Sequence, residues 1–474
     1  MDTAEEYTLT GIDSSNVPAI RKMALALAWP AIMEMMLNTL VQYVDTAMVG
    51  NLGEVAIAAV GISNSPMMFL MGFFTALGVG ATALVARSIG AGDELQAHNA
   101  AQQSFLLGGS LALVVSVLIF IFAEWVPALM GAAAEVIPAA GLYLRIISVT
   151  FFFHFCAMVL AGVLRGAGDT KTPMKVNILA NIINVGLNFL LIYPTRTVSV
   201  VLPSGVTLFT ATIPGAGMGV AGAAAATTLA RAVAGTCVLY VLMSGRRKVR
   251  LSLRVLRFDR TMIRRILKIG LPASVERLSI SGGQMLFSVV VLSLGTVQYA
   301  AHHLAIVAES ISYMPGFGFS MAATALTGQG LGAGKPKLAE AYGYITCRIA
   351  AAVMGIMGLQ FFFGGHLFIR VFTSDPEIIH YGALALRLVA FGQIPFAVQI
   401  VLAGALRGAG DTVWPLVIGA TSMWCIRLVL AWFLVNRLGL GLAGAWSAMV
   451  LDLWVRGILI LLRFRSGRWQ KVAV

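Results

Sequence analysis

The heptapeptide Leu164-Arg165-Gly166-Ala167-Gly168-Asp169-Thr170 returns unchanged as Leu406-Arg407-Gly408-Ala409-Gly410-Asp411-Thr412, 242 residues further on. The same offset carries outward on both sides. Pro30 matches Pro272, Glu34 matches Glu276, Gln42 matches Gln284, and Gly53 matches Gly295. Ala81-Thr82-Ala83-Leu84 matches Ala323-Thr324-Ala325-Leu326, Gly90-Ala91-Gly92 matches Gly332-Ala333-Gly334, and Pro173 matches Pro415. By Ala221-Gly222-Ala223 against Ala443-Gly444-Ala445 the offset has dropped to 222, so the first copy holds about twenty extra residues around 194–214. The chain is one unit used twice.

What that unit is follows from composition. Of 474 residues, 59% are hydrophobic and 11% charged, with a mean hydropathy of +0.88. A soluble domain carries about 25% charged residues, so lipid must solvate most of this surface. Apolar stretches near the length of one span, about 20 residues, place helices at 23–48, 56–83, 99–123, 137–161, 172–193, 216–243, 262–293, 298–326, 341–364, 379–404, 414–436 and 441–463. The fold class is an all-α membrane protein, twelve transmembrane helices in two six-helix lobes. An even number of spans per copy forces both copies into the membrane the same way round. They are parallel repeats about an axis along the membrane normal, an arrangement suited to alternating access. The divisions are a 1–22 N-terminal segment, a 23–243 N-lobe, a 244–261 basic linker, a 262–463 C-lobe and a 464–474 tail.

The net charge of +13 is a topology signal rather than a nucleic-acid groove. Ten Lys/Arg fall between Arg246 and Lys268, and Arg463, Arg465, Arg468 and Lys471 follow the last span. No aromatics interleave with them. Segments on the side of the termini hold 23 Lys/Arg and the opposite segments hold 3, namely Arg196, Arg370 and Arg437. That asymmetry puts both termini in the cytoplasm and the protein in the cell (inner) membrane. The acidic start, Met1 to Glu6, has no apolar core of a signal peptide. Cys156, Cys237, Cys347 and Cys425 lack metal spacing and read as small packing residues.

Polar residues inside spans are costly and usually functional. Glu34, Asn38, Gln42 and Asp45 share one face of helix 1; Asn177, Asn181, Asn184 and Asn188 share one face of helix 5. Two such stripes in one lobe suggest a common water-filled pocket, against the alternative of interhelical packing. Asp45 has Phe287 as its repeat mate, so duplication does not require it. With amide oxygens near, it is suited to a proton or a small hard cation. Glu34 and Glu276, with Gln42, Gln284 and Asn181, are candidates for gating or substrate contact. Arg427, Asp452 and Arg456 read as a structural ion-pair network, and His154, His302 and His303 as packing histidines. The RGAGDT loops turn on glycine, with Asp169 and Asp411 capping the helix that Pro173 and Pro415 open. Gly334-Lys335 is followed by Pro336, not Ser/Thr, so no P-loop is present and an ion gradient must supply the energy. No nucleophile–base set or metal cluster marks an enzyme, and no cofactor is implied.

The chain resembles the multidrug and toxic compound extrusion (MATE) family. The resemblance rests on Leu27-Ala28-Trp29-Pro30-Ala31, Val44-Asp45-Thr46-Ala47-Met48-Val49-Gly50, the paired LRGAGDT loops, Gly222-Ala223-Ala224-Ala225-Ala226-Thr227 and Arg463-Phe464-Arg465-Ser466-Gly467-Arg468-Trp469. It implies export of organic cations and other small amphiphiles in exchange for inward Na⁺ or H⁺, by what is expected to be a monomer in contact with membrane lipid and no nucleic acid. It also implies coupling at Asp45, Asn184, Asn188 and Thr227. Where such members carry an Asp in helix 5, this chain has Asn188, which leaves Na⁺ and H⁺ both open. A C-lobe Na⁺ site is not expected, since Gly283 stands near its first position and helix 10 has no acid. The alternatives are a lipid-linked precursor flippase of the same wider superfamily, for which intramembrane arginines speak, and a major-facilitator transporter, whose Arg-rich loop after helix 2 is missing.

Overall fold

The computed structural model describes residues 14–50, 52–201, 207–252 and 257–472. The acidic start Met1–Glu6 and Arg254 of the linker lie outside them. The first lobe runs α1 (Val17–Gly50), α2 (Glu54–Gly90), α3 (Glu94–Ile121), the short α4 (Trp125–Leu129), α5 (Ile137–Ser148), α6 (Phe151–Gly166) and α7 (Lys171–Leu191). Strands β1 (Pro194–Val201) and β2 (Thr207–Ala216) follow, and α8 (Gly219–Met243) closes the lobe. The second repeats the plan with α9 (Arg260–Leu292), α10 (Thr296–Gly332), α11 (Pro336–Arg370), α12 (Pro376–Ala390) and α13 (Gln393–Gly408). It ends with α14 (Val413–Thr421), a π-helical turn (Ser422–Leu428), α15 (Val429–Asn436) and α16 (Gly441–Arg465).

Among the described residues nine helices are long and apolar enough to span a membrane, or eleven when α5/α6 and α12/α13 each count as one bent span. The twelfth is α10, the repeat mate of α2, which polar residues such as His302, His303, Glu309, Ser310 and Ser312 make less apolar. Large apolar side chains stay exposed along the outer faces, Leu113, Val117 and Phe120 of α3 and Leu359 and Phe363 of α11 among them. Hydrocarbon is the solvent that suits such faces.

Three features depart from the sequence expectation. The twenty extra residues form an antiparallel hairpin, Pro194 opposite Ala216, so the otherwise helical fold carries one two-stranded sheet. Helices 4 and 10, expected as continuous spans, bend by 56° and 58°. The breaks fall at repeat mates, Thr150 and Gly392. Side chains take up the freed backbone groups: Ser116 donates to the Ser148 carbonyl, and Ser148 Oγ to Arg145 O (2.8 Å). Helix 11 contains the π turn, the kind of insertion that gathers at polar sites. Cys425 on that turn is exposed rather than packed.

The lobes meet through α1 and α2 against α9 and α10. Their hydrogen bonds and tightest approaches run from mid-membrane to the face carrying the termini. Thr39 Oγ1 lies 3.9 Å from Met314 Sδ, and Ser274 Oγ donates to Phe73 O (3.4 Å). At the end of that face α2 crosses α10 on two glycines that are repeat mates. A methyl on Gly90 would overlap the Gln329 carbonyl, and one on Gly332 the Arg87 carbonyl. Gln329 Nε2 then reaches across to Gly166 O (2.9 Å).

Candidate functional site

In the N-lobe, α1 and α7 lie side by side with a repeating stagger. Asn177, Asn181 and Asn188 bond Glu34, Asn38 and Asp45 respectively, each 143 residues apart. Steps of three and four residues on two neighbouring helices make this ladder possible. At its far end Asn188 Nδ2 donates to Asp45 Oδ1 (2.5 Å). The Asn184 amide, with its nitrogen turned to the carboxylate, donates to Oδ1 (2.8 Å) and Oδ2 (3.3 Å). Thr227 Oγ1 lies 3.3 Å from the Asn184 amide. Asn184 and Asn188 are buried, and Asn188 Oδ1 has no partner. A buried acceptor without a donor, next to a carboxylate, suits a proton or an oxygen-seeking cation. One turn after Thr227, Arg231 lies within electrostatic reach of Asp45, together with Tyr143. Arg231 Nη1 and His154 Nε2 are buried without partners, so His154 is not the satisfied packing residue the sequence suggested.

The other candidates separate from this cluster. Glu34 pairs with Arg165 (2.8 Å) and accepts from Asn177 Nδ2 (2.6 Å). Glu276 pairs with Arg407, Nη2 to Oε1 at 2.7 Å and Nε to Oε2 at 3.3 Å. Both arginines belong to the LRGAGDT loops, so each lobe ties its first helix to its own loop near the face of the termini. Gln42 and Gln284 are exposed on α1 and α9 and join neither cluster. Asp169 accepts from Thr172 N (2.9 Å) and Oγ1 (2.6 Å), as a cap should. Asp411 does not cap; it pairs with Arg463 of α16 (2.7 Å).

The C-lobe holds a different centre. Asp452 accepts from Arg427 Nε (2.8 Å), from Arg456 Nε (2.8 Å) and from Ser422 Oγ. All three charged side chains are at most 8% exposed. The π turn brings Ser422 and Arg427 together on Asp452. Arg427 also lies over the ring of Phe287, the repeat mate of Asp45 (5.9 Å). His302 is buried and accepts at Nδ1 from Trp446 Nε1 (3.2 Å), but its Nε2 has no partner, so it is only half satisfied. Glu309 is a residue that the sequence reading passed over. It is buried on α10, where Oε1 accepts from Gln393 Nε2 (3.4 Å). An acid inside a predicted span was the signal available.

The family model MatE matches residues 30–190 and 272–433, two segments whose starts are 242 residues apart. The chain belongs to the MATE family. The probable multidrug resistance protein NorM of Thermotoga maritima is 33% identical to this MATE chain, over 98% of this chain and 96% of that protein. The uncharacterized transporter YisQ of Bacillus subtilis is 28% identical, over 95% and 96%. A solved MATE transporter of the MOP superfamily in an outward-facing conformation has the same fold, with a TM-score of 0.85 at 24% identity over 95% and 97% of the two chains. The chain is a multi-pass membrane transporter of the MATE/NorM type and not an enzyme. Among the described residues no three His, Cys, Asp or Glu side chains could hold a metal ion together.

Proposed function

We propose that this transporter exports small organic cations and amphiphiles, driven by an ion that enters at Asp45. The observation carrying this reading is the Asp45–Asn184–Asn188–Thr227 cluster, in which the only acid is set among amides and one acceptor has no donor. With the termini in the cytoplasm, as the charge asymmetry argues, the lobe contacts seal the cytoplasmic half. Gln42, Tyr43 and Thr46 on the far half of α1 remain exposed. This is the outward-facing side of an alternating-access cycle.

From that state the coupling follows in steps. The ion binds Asp45, weakens its hold on Asn184 and Asn188, and shifts α1 against α7. To drive transport it must bind the two lobe arrangements unequally. Substrate leaves outward, and the closed outer path then carries the ion in. One charge moving through about 100 mV is worth about 2.3 kcal/mol, roughly a fifty-fold concentration ratio. One-for-one exchange with a monovalent cation draws on the chemical gradient alone.

The test is cationic dye flux in proteoliposomes with Na⁺ and pH gradients imposed separately. One gradient should drive uptake into inverted vesicles. Asp45→Asn should abolish the driven component while the protein stays folded and inserted. Full driven flux in that variant overturns the role of Asp45, and its response to the two gradients identifies the ion.

A further inference from the structure

The ends of α11 and α12, on the face opposite the termini, border an open pocket of about 590 Å³. Arg370 and His366 line it from α11, Arg387 and His380 from α12, and Thr373 and Ser374 from the turn between them. The lining contains no carboxylate. Among the described residues Arg370 and Arg387 make no ion pair, and the nearby Asp375 is engaged in capping α12 through Glu377 N and Ile378 N. Arg370 is also one of the three basic residues on a side otherwise nearly free of them.

The repeat shows what has changed here. Arg387 and His366 are the mates of Arg145 and Glu124. In the N-lobe those two form an ion pair at 3.1 Å. The C-lobe keeps the arginine, replaces its acid with histidine, and adds a second arginine where the N-lobe has Ala128. A matched pair has become a concentration of positive charge with several N–H and O–H donors. Guanidinium forks fit phosphate oxygens bidentately. Arg387 lies 11 residues into α12, about 16 Å along its axis. Phe363 and Leu367, exposed on α11, flank the site with apolar surface.

We propose that this pocket binds a phosphate-bearing anion. Its placement at a membrane-facing rim points to the headgroup of an anionic phospholipid; free phosphate shares the same chemistry. Under the orientation argued above the lipid belongs to the outer leaflet, but the site itself does not depend on that reading.

The full-length protein in nanodiscs, analysed by native mass spectrometry, tests this with phosphatidylglycerol, phosphatidylcholine and inorganic phosphate offered separately. Wild type should retain phosphatidylglycerol over phosphatidylcholine. Arg370→Gln/Arg387→Gln should lose roughly thirty-fold in that preference, taking about 1 kcal/mol per basic residue at an anionic surface. His366→Glu, which restores the N-lobe pair, should lose it too, and Arg370→Lys/Arg387→Lys should keep most of it. Phosphate binding without lipid preference, lost in the same variants, would support the site with a free anion as its ligand. If wild type prefers neither phosphatidylglycerol nor phosphate, or if the folded variants retain them equally, the proposal is overturned.

Discussion

Two lobes from one duplicated unit hold their intramembrane acids in opposite settings. In the N-lobe Asp45 of the first helix faces amides and an unpartnered acceptor. Its mate in the C-lobe, Phe287, lies under an arginine that is itself held by Asp452. The mates of Asn184 and Asn188 are Ile426 and Leu430, and those of Asp452 and Arg456 are Ala230 and Ala234. The same helix pairs thus carry polar centres at non-equivalent positions. One centre has a carboxylate with room to exchange partners. The other is saturated by two guanidiniums. The duplication supplied the scaffold; the asymmetry is what the proposed coupling at Asp45 rests on.

The largest expected effect comes from exchanging the two acids for their amides. Asp452→Asn leaves two buried guanidiniums facing one neutral group. Breaking a buried ion pair from one side costs about 3–5 kcal/mol, which should appear as a steep fall in thermal stability of the detergent-solubilised protein. Asp45→Asn keeps a side chain that still bonds its neighbours, and its stability change should stay within about 1 kcal/mol, although driven flux is lost. Equal destabilisation by the two substitutions would remove the contrast between a working and a structural carboxylate.

Much of this was legible beforehand, and the exceptions have physical causes. The repeat, the spans and the two stripes on helices 1 and 5 come from spacing, which helix geometry transmits directly into shared faces. The bend at Gly392 has a signal, since Pro395 lacks the N–H that would bond the Phe391 carbonyl; the bend at Thr150 was not legible, because neither glycine nor proline stands at that break. The π turn leaves no mark in composition; from it Ser422 and Arg427 both reach Asp452. The hairpin sits in a segment identified only as an insertion. Glu309 has Met67 as its repeat mate, so the symmetry that singles out Glu34 and Glu276 does not reach it. That symmetry predicts that Asp411 caps like Asp169, whereas Arg463 draws it away.

A smaller effect separates the pairs that look most alike. Glu276 accepts two hydrogen bonds from Arg407, one at each oxygen, while Glu34 accepts one from Arg165 and one from Asn177 at Oε1 alone, its Oε2 buried without a partner. Charge-assisted bonds are the stronger kind, and each contributes about 1–2 kcal/mol when little exposed. Glu276→Gln should therefore cost about 2 kcal/mol and Glu34→Gln about 1 kcal/mol, read from denaturant or thermal unfolding. A reversed order would mean that the N-lobe tie holds the face of the termini more firmly than its bonds suggest.

The smallest effect concerns how each lobe begins. Asn16, an uncharged cap, accepts from Ala19 N at the start of α1 (3.1 Å). At the start of α9 the cap is Asp259, whose carboxylate accepts from Thr261 N, Met262 N and, across the lobes, Asn99 Nδ2 (2.9 Å). The Asn99 bond foremost, then the Met262 amide, holds its carboxyl below the usual aspartate range. A carboxyl so depressed stabilises the fold above its unfolded pKa, and that contribution is lost as pH falls through the lower folded value. Only the C-lobe entrance should thus soften in acid below the ordinary aspartate range. Asp259→Asn should flatten the acid limb of the stability profile and leave the neutral region nearly unchanged. Hydrogen exchange across 257–270 would report it locally; an unchanged acid limb would show that the tie to Asn99 holds equally well with the carboxyl protonated.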